Sequence, residues 1–290
     1  MDMILEVNNL SKTYPKADFS LRNITFALPR GAIMGLVGEN GSGKSTTIGC
    51  LLNTLIKDSG TIKIFNKEMT DQTIDIRDNI GVVYDTCPFP KHLTPLKLSA
   101  SLRHIYSNWD DALFKTYLTK FKLPPKAKIK TFSRGMSMKL GVAVALSHHP
   151  KLLVLDEATS GLDPIVRDDL LDVFLDFVSN EEHSILLSSH ITSDLEKVAD
   201  YITFIHDGKI LFSEQKDTLI YNYGIMRCKV AQFDTIDKED IITYRKQDYQ
   251  INVLIKNKPN MEQKYRDIII DAVSIEEIML MLVKGTHHEK

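Results

Sequence analysis

The sequence predicts an α/β fold built around a mainly parallel sheet, and three stretches carry that prediction. "AIMGLV" at 32–37 is a short apolar run that leads into the glycine-rich "GENGSGKSTT" and then a helical stretch, the strand, loop and helix order of a phosphate-binding turn. "KLLVLDE" at 151–157 and "SILLSSH" at 184–190 are nearly continuous apolar runs with polar ends, as expected of parallel strands covered on both faces. At 290 residues, with 43% apolar and 26% charged, the chain has enough material for one large core or two modest ones. That composition excludes disorder and collagen.

The remaining elements follow in order. Residues 3–8 and 21–28 read as short strands, the second closed by the turn signal Pro29-Arg30-Gly31. The 32–37 run is a central strand, and the helix after the glycine-rich loop is expected to reach about residue 54. Residues 60–66 alternate as a strand, and 78–85 form another that runs into the proline-rich "CPFPKHLTP". Residues 96–123 read as mainly helical. A loop with Pro124, Pro125 and several lysines then leads to Ser133-Arg134-Gly135, where a helix to about Ser147 begins, closed by His148-His149-Pro150. Asp163 caps and Pro164 starts the next helix. Ser193 with Glu196 predicts a capping box for a helix to about residue 199. Residues 201–212 read as a hairpin turning at Asp207-Gly208. Beyond about 216 the pattern changes to short, charged strands and helices, ending with Ser274 and Glu277 capping "IEEIMLMLV". The expected organisation is a main domain over 1–215, with a helical insertion at about 86–148, and a small α+β accessory domain over 216–290.

The formal net charge of -2 gives no global argument for a nucleic-acid or anionic-membrane partner. Cys50, Cys87 and Cys228 are odd in number, far apart and without metal-ligand spacing, so they read as packing residues in a reducing compartment. The N-terminal stretch has no apolar run of signal-peptide length, and nowhere are there eighteen consecutive apolar residues. The expectation is a chain that does not itself span a membrane. The paired histidines His287 and His288 read as part of a polar chain end and not as a metal site.

Gly38-Glu39-Asn40-Gly41-Ser42-Gly43-Lys44-Ser45, followed by Thr46, matches the complete phosphate-loop pattern. Glycines let successive backbone N–H groups turn inward around phosphate oxygens, and the helix start near Gly43 adds unpaired N–H groups and partial positive charge. Lys44 is expected to reach the β- and γ-phosphates, and the Ser45 hydroxyl to ligate Mg²⁺. Of the two acids ending the 151–157 run, Asp156 would hold the magnesium through water. Glu157, one step nearer the γ-phosphate, would polarise an attacking water. His190 ends the 184–190 strand, where parallel-sheet sites open toward ligand, and is read as a γ-phosphate contact.

Ser133-Arg134-Gly135 is a second anion-friendly helix start. Two chains arranged head to tail would complete two nucleotide sites, each with the phosphate loop of one and the serine-glycine turn of the other. The competing reading is an ordinary helix cap with Arg134 solvated.

In this order the motifs resemble those of the ATP-binding subunits of ABC transporters, over residues 3 to about 215. "GENGSGKST" is similar to the Walker A motif and "LLVLDE" to Walker B; "FSRGM", 132–136, stands at the signature. "SGLD", 160–163, is similar to the D-loop, His190 to the switch histidine, and Tyr14 to the aromatic residue that stacks on adenine. The resemblance implies an ABC-type P-loop ATPase fold with an antiparallel β subdomain and a helical signature subdomain. It implies ATP and Mg²⁺ as cofactors, a homodimer in the ATP-bound state, and membrane permease subunits as partners at the cytoplasmic face of the membrane. No nucleic acid is expected. Ser133, Arg134 and Gly135 would then contact nucleotide, and Asp85, at the Q-loop glutamine position, would join Ser45 and Asp156 at the metal.

Several positions depart from the family pattern. Asp85 is a shorter carboxylate than the usual glutamine, Arg134 replaces a signature glycine, Met136 replaces its final glutamine, and Ala158 replaces a proline. "SRGM" together with the altered Q-loop resembles ABC-2-type exporter ATPases of the phenol-soluble modulin and bacitracin-resistance kind. The expected function is ATP-driven export through separate membrane subunits, with amphipathic or antimicrobial peptides as cargo. The alternatives are a soluble ABC-type ATPase acting on ribosomes or DNA, and a weakly active regulatory subunit. Neither a duplicated domain nor sustained heptads favours the former. Residues Phe89, Pro90 and His92, with Trp109, read either as a partner surface or as the helical region's own core.

Overall fold

The structure, a computed structural model, describes residues 2–15, 19–70, 73–247 and 249–286. His287 and His288 lie outside the described residues. The chain divides into two compact units, Met1–Ser213 and Glu214–Lys290.

In the first unit the elements run β1 (Met3–Thr13), β2 (Ser20–Pro29), β3 (Ile33–Val37), α1 (Lys44–Leu51), β4 (Ser59–Ile64), β5 (Lys67–Glu68), α2 (Ile74–Arg77) and β6 (Ile80–Val83). They continue through α3 (Pro95–Leu102), α4 (Asp111–Lys120), α5 (Arg134–Leu146), β7 (Leu152–Asp156), α6 (Pro164–Val178), β8 (Ser184–Ser189), α7 (Thr192–Val198), β9 (Tyr201–His206) and β10 (Lys209–Gln215), whose last two residues fall in the second unit.

β1, β2, β4 and β5 form an antiparallel sheet ordered β2-β1-β4-β5. The other sheet has the order β10-β9-β3-β8-β7-β6, with parallel pairing from β9 across to β6. Every residue of β3 and β8 is buried, which is why their sequences are continuous apolar runs and not alternating ones. Strand order reverses around β3, so the chain leaving its C-terminal end opens into the crevice where parallel sheets hold ligands. One hydrophobic cluster joins both sheets, with Leu5, Ile24, Met34, Ile48, Val154 and Leu186 all at most 1% exposed.

Several boundaries differ from those the sequence suggests, each for a local reason. β1 runs on to Thr13 through polar residues, past register shifts and a left-handed Asn9 (φ 51°); the bulged, polar end hides the strand period. α1 stops at Leu51 because Asn53 turns left-handed (φ 53°). Phe65 and Asn66, both at positive φ, make a tight turn into the unanticipated β5. The 96–123 stretch is two helices, split where the Asp110 side chain caps α4 on the N–H groups of Ala112 and Leu113. Ser193 is not a cap: α7 begins at Thr192, and the Ser189 hydroxyl accepts from Ile191 N at 2.9 Å instead. Asp163 caps α6 through Val166 N at 3.0 Å, as expected.

The second unit holds α8 (Lys216–Asn222), β11 (Tyr223–Cys228), α9 (Val230–Phe233), β12 (Thr243–Lys246), β13 (Ile251–Lys256), α10 (Lys258–Lys264), β14 (Ile269–Asp271) and α11 (Ile275–Lys284). Its antiparallel sheet has the order β12-β13-β11-β14. Met226, Val253 and Ile255, each fully buried, lie in its own core. Ser274 and Glu277 close a reciprocal capping box on α11. Among the described residues no helix is long and apolar enough to cross a membrane.

Candidate functional site

The loop between β3 and α1 is shaped by what lies behind it. A Cβ at Gly38 would sit 2.3 Å from Ile205 O and 2.5 Å from Ser42 Oγ, so only glycine allows the loop to approach the neighbouring β9 strand this closely. Gly43 caps α1 from a left-handed conformation (φ 115°). Thr47 N–H and hydroxyl both return to Gly43 O at 2.9 Å. Lys44, only 5% exposed, folds its ammonium into the loop and donates to Gly38 O at 2.8 Å and Glu39 O at 3.2 Å. The Ser42 hydroxyl is buried and has no hydrogen-bond partner among the described residues, whereas Gly41 is exposed, with open space where a side chain would begin. Asn40 is also exposed and Thr46 half-buried.

β7 and β8 deliver the acids and the histidine to this loop. Asp156 Oδ1 accepts from Ser45 Oγ at 3.2 Å and from Ser188 Oγ at 2.7 Å. Glu157 leaves the strand in a left-handed conformation (φ 54°) that a non-glycine residue adopts at a cost of about 1–3 kcal/mol. Its N–H is held at 3.2 Å by both the carbonyl and the hydroxyl of Ser188. The turned carboxylate spans two groups: Oε1 lies 3.2 Å from Lys44 Nζ, and Oε2 lies 2.6 Å from His190 Nδ1. One mostly buried carboxylate thus sits between the phosphate-loop lysine and an exposed-edge histidine, able to orient a water and to pass or accept a proton. A serine hydroxyl beside an aspartate carboxylate offers two hard oxygens, the donor type suited to Mg²⁺ retaining several waters.

Lys44, Ser45, Asp156, Glu157 and His190 therefore form one contiguous group. Ser133, Arg134 and Gly135 stand at the start of α5, on a different contact. The Ser133 hydroxyl caps the helix through Met136 N at 3.2 Å. A Cβ at Gly135 would touch Val166 of α6, and the Arg134 guanidinium packs on Gly161. Tyr14 is half-buried, and Lys12 Nζ lies 5.7 Å from its ring centre. Asp85 is exposed and, with Cys87, Phe89, Lys91, Lys130, Phe132 and Arg134, lines a groove of about 400 Å³ between the loop after β6 and the start of α5. Trp109 is half-buried against the helical region: it packs on Phe114 and donates to Ser99 Oγ and Asp111 Oδ1 at 3.2 and 3.1 Å. Cys50 and Cys228 are buried packing residues, while Cys87 is half-exposed in the groove.

Two residues of this neighbourhood escape a reading of the sequence. Ser188 looks like a small residue in a buried strand, yet its hydroxyl and carbonyl orient both Asp156 and Glu157. Tyr84 lies within the field of Asp156; burial, then that negative charge, push its hydroxyl pKa upward.

The ABC transporter family profile matches residues 21–160. The lantibiotic transport ATP-binding protein SrtF of Streptococcus pyogenes is 36% identical over 219 residues, which cover 74% of this chain and 92% of that protein. The chain belongs to the ABC transporter ATP-binding proteins. The bacitracin transport ATP-binding protein BcrA of Bacillus licheniformis is also similar, 33% identical over 215 residues that cover 73% of this chain and 69% of the relative. A solved ATP-binding subunit of an ABC transporter shares the fold with a TM-score of 0.65 at 28% identity, covering 74% of this chain and 91% of its own. As an ABC ATPase of this bacitracin-related kind, the chain binds ATP and couples its hydrolysis to transport. ABC ATPases dimerise and associate with membrane transporter subunits, and action on ribosomes or DNA is not favoured.

Proposed function

We propose that this ABC ATPase powers export of amphipathic or antimicrobial peptides through ABC-2-type permease subunits, lying peripherally at the cytoplasmic face of the membrane and closing as a homodimer on ATP. The peptide cargo is suggested by the lantibiotic and bacitracin relatives. The observation that carries the catalytic reading is the double engagement of Glu157 by Lys44 and His190. When bound, Mg-ATP supplies the scissile phosphoryl group and the metal neutralises its charge.

In this reading the residues divide the work. The backbone of Gly38, Asn40, Gly41, Ser42 and Gly43 lines the phosphates, Lys44 counters their charge, and Thr46 extends the helix start. Ser45 and Asp156 would hold Mg²⁺, with Asp85 as a further carboxylate donor. Glu157 orients and deprotonates the attacking water, and His190 fixes the Glu157 carboxylate and senses the γ-phosphate. Tyr14 stacks on adenine. Ser133, Arg134 and Gly135 form the signature edge that faces a second chain, whose nucleotide Ser133 and Gly135 contact. The segment 216–290 acts as an accessory domain of the dimer.

The test is ATP turnover of the chain against Glu157→Gln, each also run on a sizing column with Mg-ATP. Loss of about 100-fold or more in turnover, the scale of a removed general base, with accumulation of an ATP-bound dimer is the expected result. Retained turnover in Glu157→Gln would remove Glu157 from the chemistry.

A further inference from the structure

Arg134 stands where the family pattern has a glycine, and the structure gives its side chain a definite neighbour. A Cβ built on Gly161 would lie 3.0 Å from the guanidinium carbon of Arg134, 3.1 Å from Nη1 and 3.4 Å from Nε. The guanidinium thus covers the face of Gly161 from which a side chain would project. Gly161 is left-handed (φ 64°), so glycine is required there on two counts, backbone and space. Arg134 is exposed, and among the described residues no hydrogen bond or ion pair holds its guanidinium; Gly161 is the neighbour against which it lies.

The segment Arg134 covers is short and connects directly to Glu157. Ser160 N–H donates to Glu157 O at 3.1 Å. Leu162 O accepts from Arg167 Nη2 at 3.4 Å, and Arg167 Nη1 lies 3.7 Å from the buried Asp194 carboxylate on α7, four positions after His190. Asp163 is fixed as the cap of α6. Between these anchors Gly161 has no hydrogen bond of its own among the described residues. Ala158, Thr159 and Leu162 are buried around it, and the Arg134 contact adds a restraint at the exposed Gly161 from the α5 side. Gly135 against Val166 continues the same seam one residue further along.

We propose that Arg134 is a positioning residue: it clamps the Gly161 turn of its own chain, so that the signature start of α5 and the loop descending from Glu157 move as one body. This rests on the catalytic reading of Glu157 given above. Arg134 would then serve the turnover of bound nucleotide more than its affinity. A guanidinium turned toward a second chain's phosphates would do the reverse.

Arg134→Ala and Arg134→Lys in the full chain separate the two. In the nucleotide-free protein, amide hydrogen exchange at 158–163 is expected to rise about fivefold in Arg134→Ala, the scale of one lost side-chain contact between neighbours. Lysine, a point charge without a planar fork, would not restore it. With Mg-ATP, kcat is expected to fall about tenfold with KM within about twofold, the pattern of an interaction that matters in the transition state. Unchanged exchange at 158–163 overturns the proposal. So does a raised KM at unchanged kcat that lysine rescues, because that assigns Arg134 to phosphate binding. If instead the unaltered chain and Glu157→Gln turn over equally, the catalytic reading fails while the exchange result still decides whether the clamp exists.

Discussion

Ser188→Ala tests whether β8 sets the metal-side geometry of the site. The hydroxyl is fully buried, donates to Asp156 Oδ1 at 2.7 Å and accepts from Glu157 N–H at 3.2 Å. Alanine removes the shorter of the two hydroxyl contacts on Asp156, leaving that of Ser45 at 3.2 Å. The backbone survives, because Ser188 O also accepts from Glu157 N–H at 3.2 Å. A hydrogen bond to a charged acceptor contributes about 1.5–3 kcal/mol, which corresponds to about 10- to 150-fold in an equilibrium or rate constant. The carboxylate is then held by Ser45 alone and loses its fixed orientation, so the Mg²⁺ concentration giving half-maximal ATP turnover is expected to rise by that factor. The assay is steady-state turnover at saturating ATP across a magnesium titration, with a thermal melt alongside. Half-saturation within about twofold of the parent, whatever the melt shows, would refute the reasoning and leave Ser188 as a core residue only.

Other perturbations test separate contacts. His190→Ala removes the partner of Glu157 Oε2, and kcat is expected to drop about 100-fold with little change in nucleotide affinity, measured by turnover and by equilibrium binding. Gly38→Ala drives a Cβ into Ile205 O, and overpacking of this kind costs about 1–3 kcal/mol; a melting temperature lowered by several degrees is expected, and an unshifted melt contradicts the close approach. Burial lowers the His148 pKa, so the ring folds neutral. Its stabilising contribution is complete above the ordinary value of 6.5 and is lost as pH falls below it. His148→Phe, which keeps an aromatic face for Tyr106, should flatten the pH dependence of denaturant midpoints on that acid side. Asp58 is held at about 2 by the hydroxyl and N–H of Thr13 and by Lys12. Its contribution is present above the ordinary 3.8 and disappears between there and about 2, a limb that Asp58→Asn should remove from acid unfolding curves.

What was legible in the sequence was whatever local chemistry dictates. Buried parallel strands need unbroken apolar runs, and 32–37, 151–157 and 184–190 have them. Helix starts need caps, and Asp163 and Ser274 serve as such. Ser193 failed as a cap because a competing local bond, from Ile191 N–H to the Ser189 hydroxyl, sets the turn one step earlier. Sequence spacing also singled out Lys44, Ser45, Asp156, Glu157 and His190, since each is tied to a strand end or a helix start whose position the pattern fixes. The contacts that organise them were not legible. Ser188 becomes an orienting residue only once β7 lies beside β8, pairing Asp156 with Ser188. Arg134 and Gly161 are 27 positions apart in sequence and meet because the starts of α5 and α6 pack together. Reading Arg134 as a phosphate ligand or a solvated cap follows from its place in a motif; its contact with Gly161 follows from the tertiary fold. The departures from the family pattern thus have to be judged by the neighbours they acquire in this chain. For Arg134 that neighbour is the loop four residues downstream of Glu157, which is why a substitution at the signature can alter the catalytic side of the same chain.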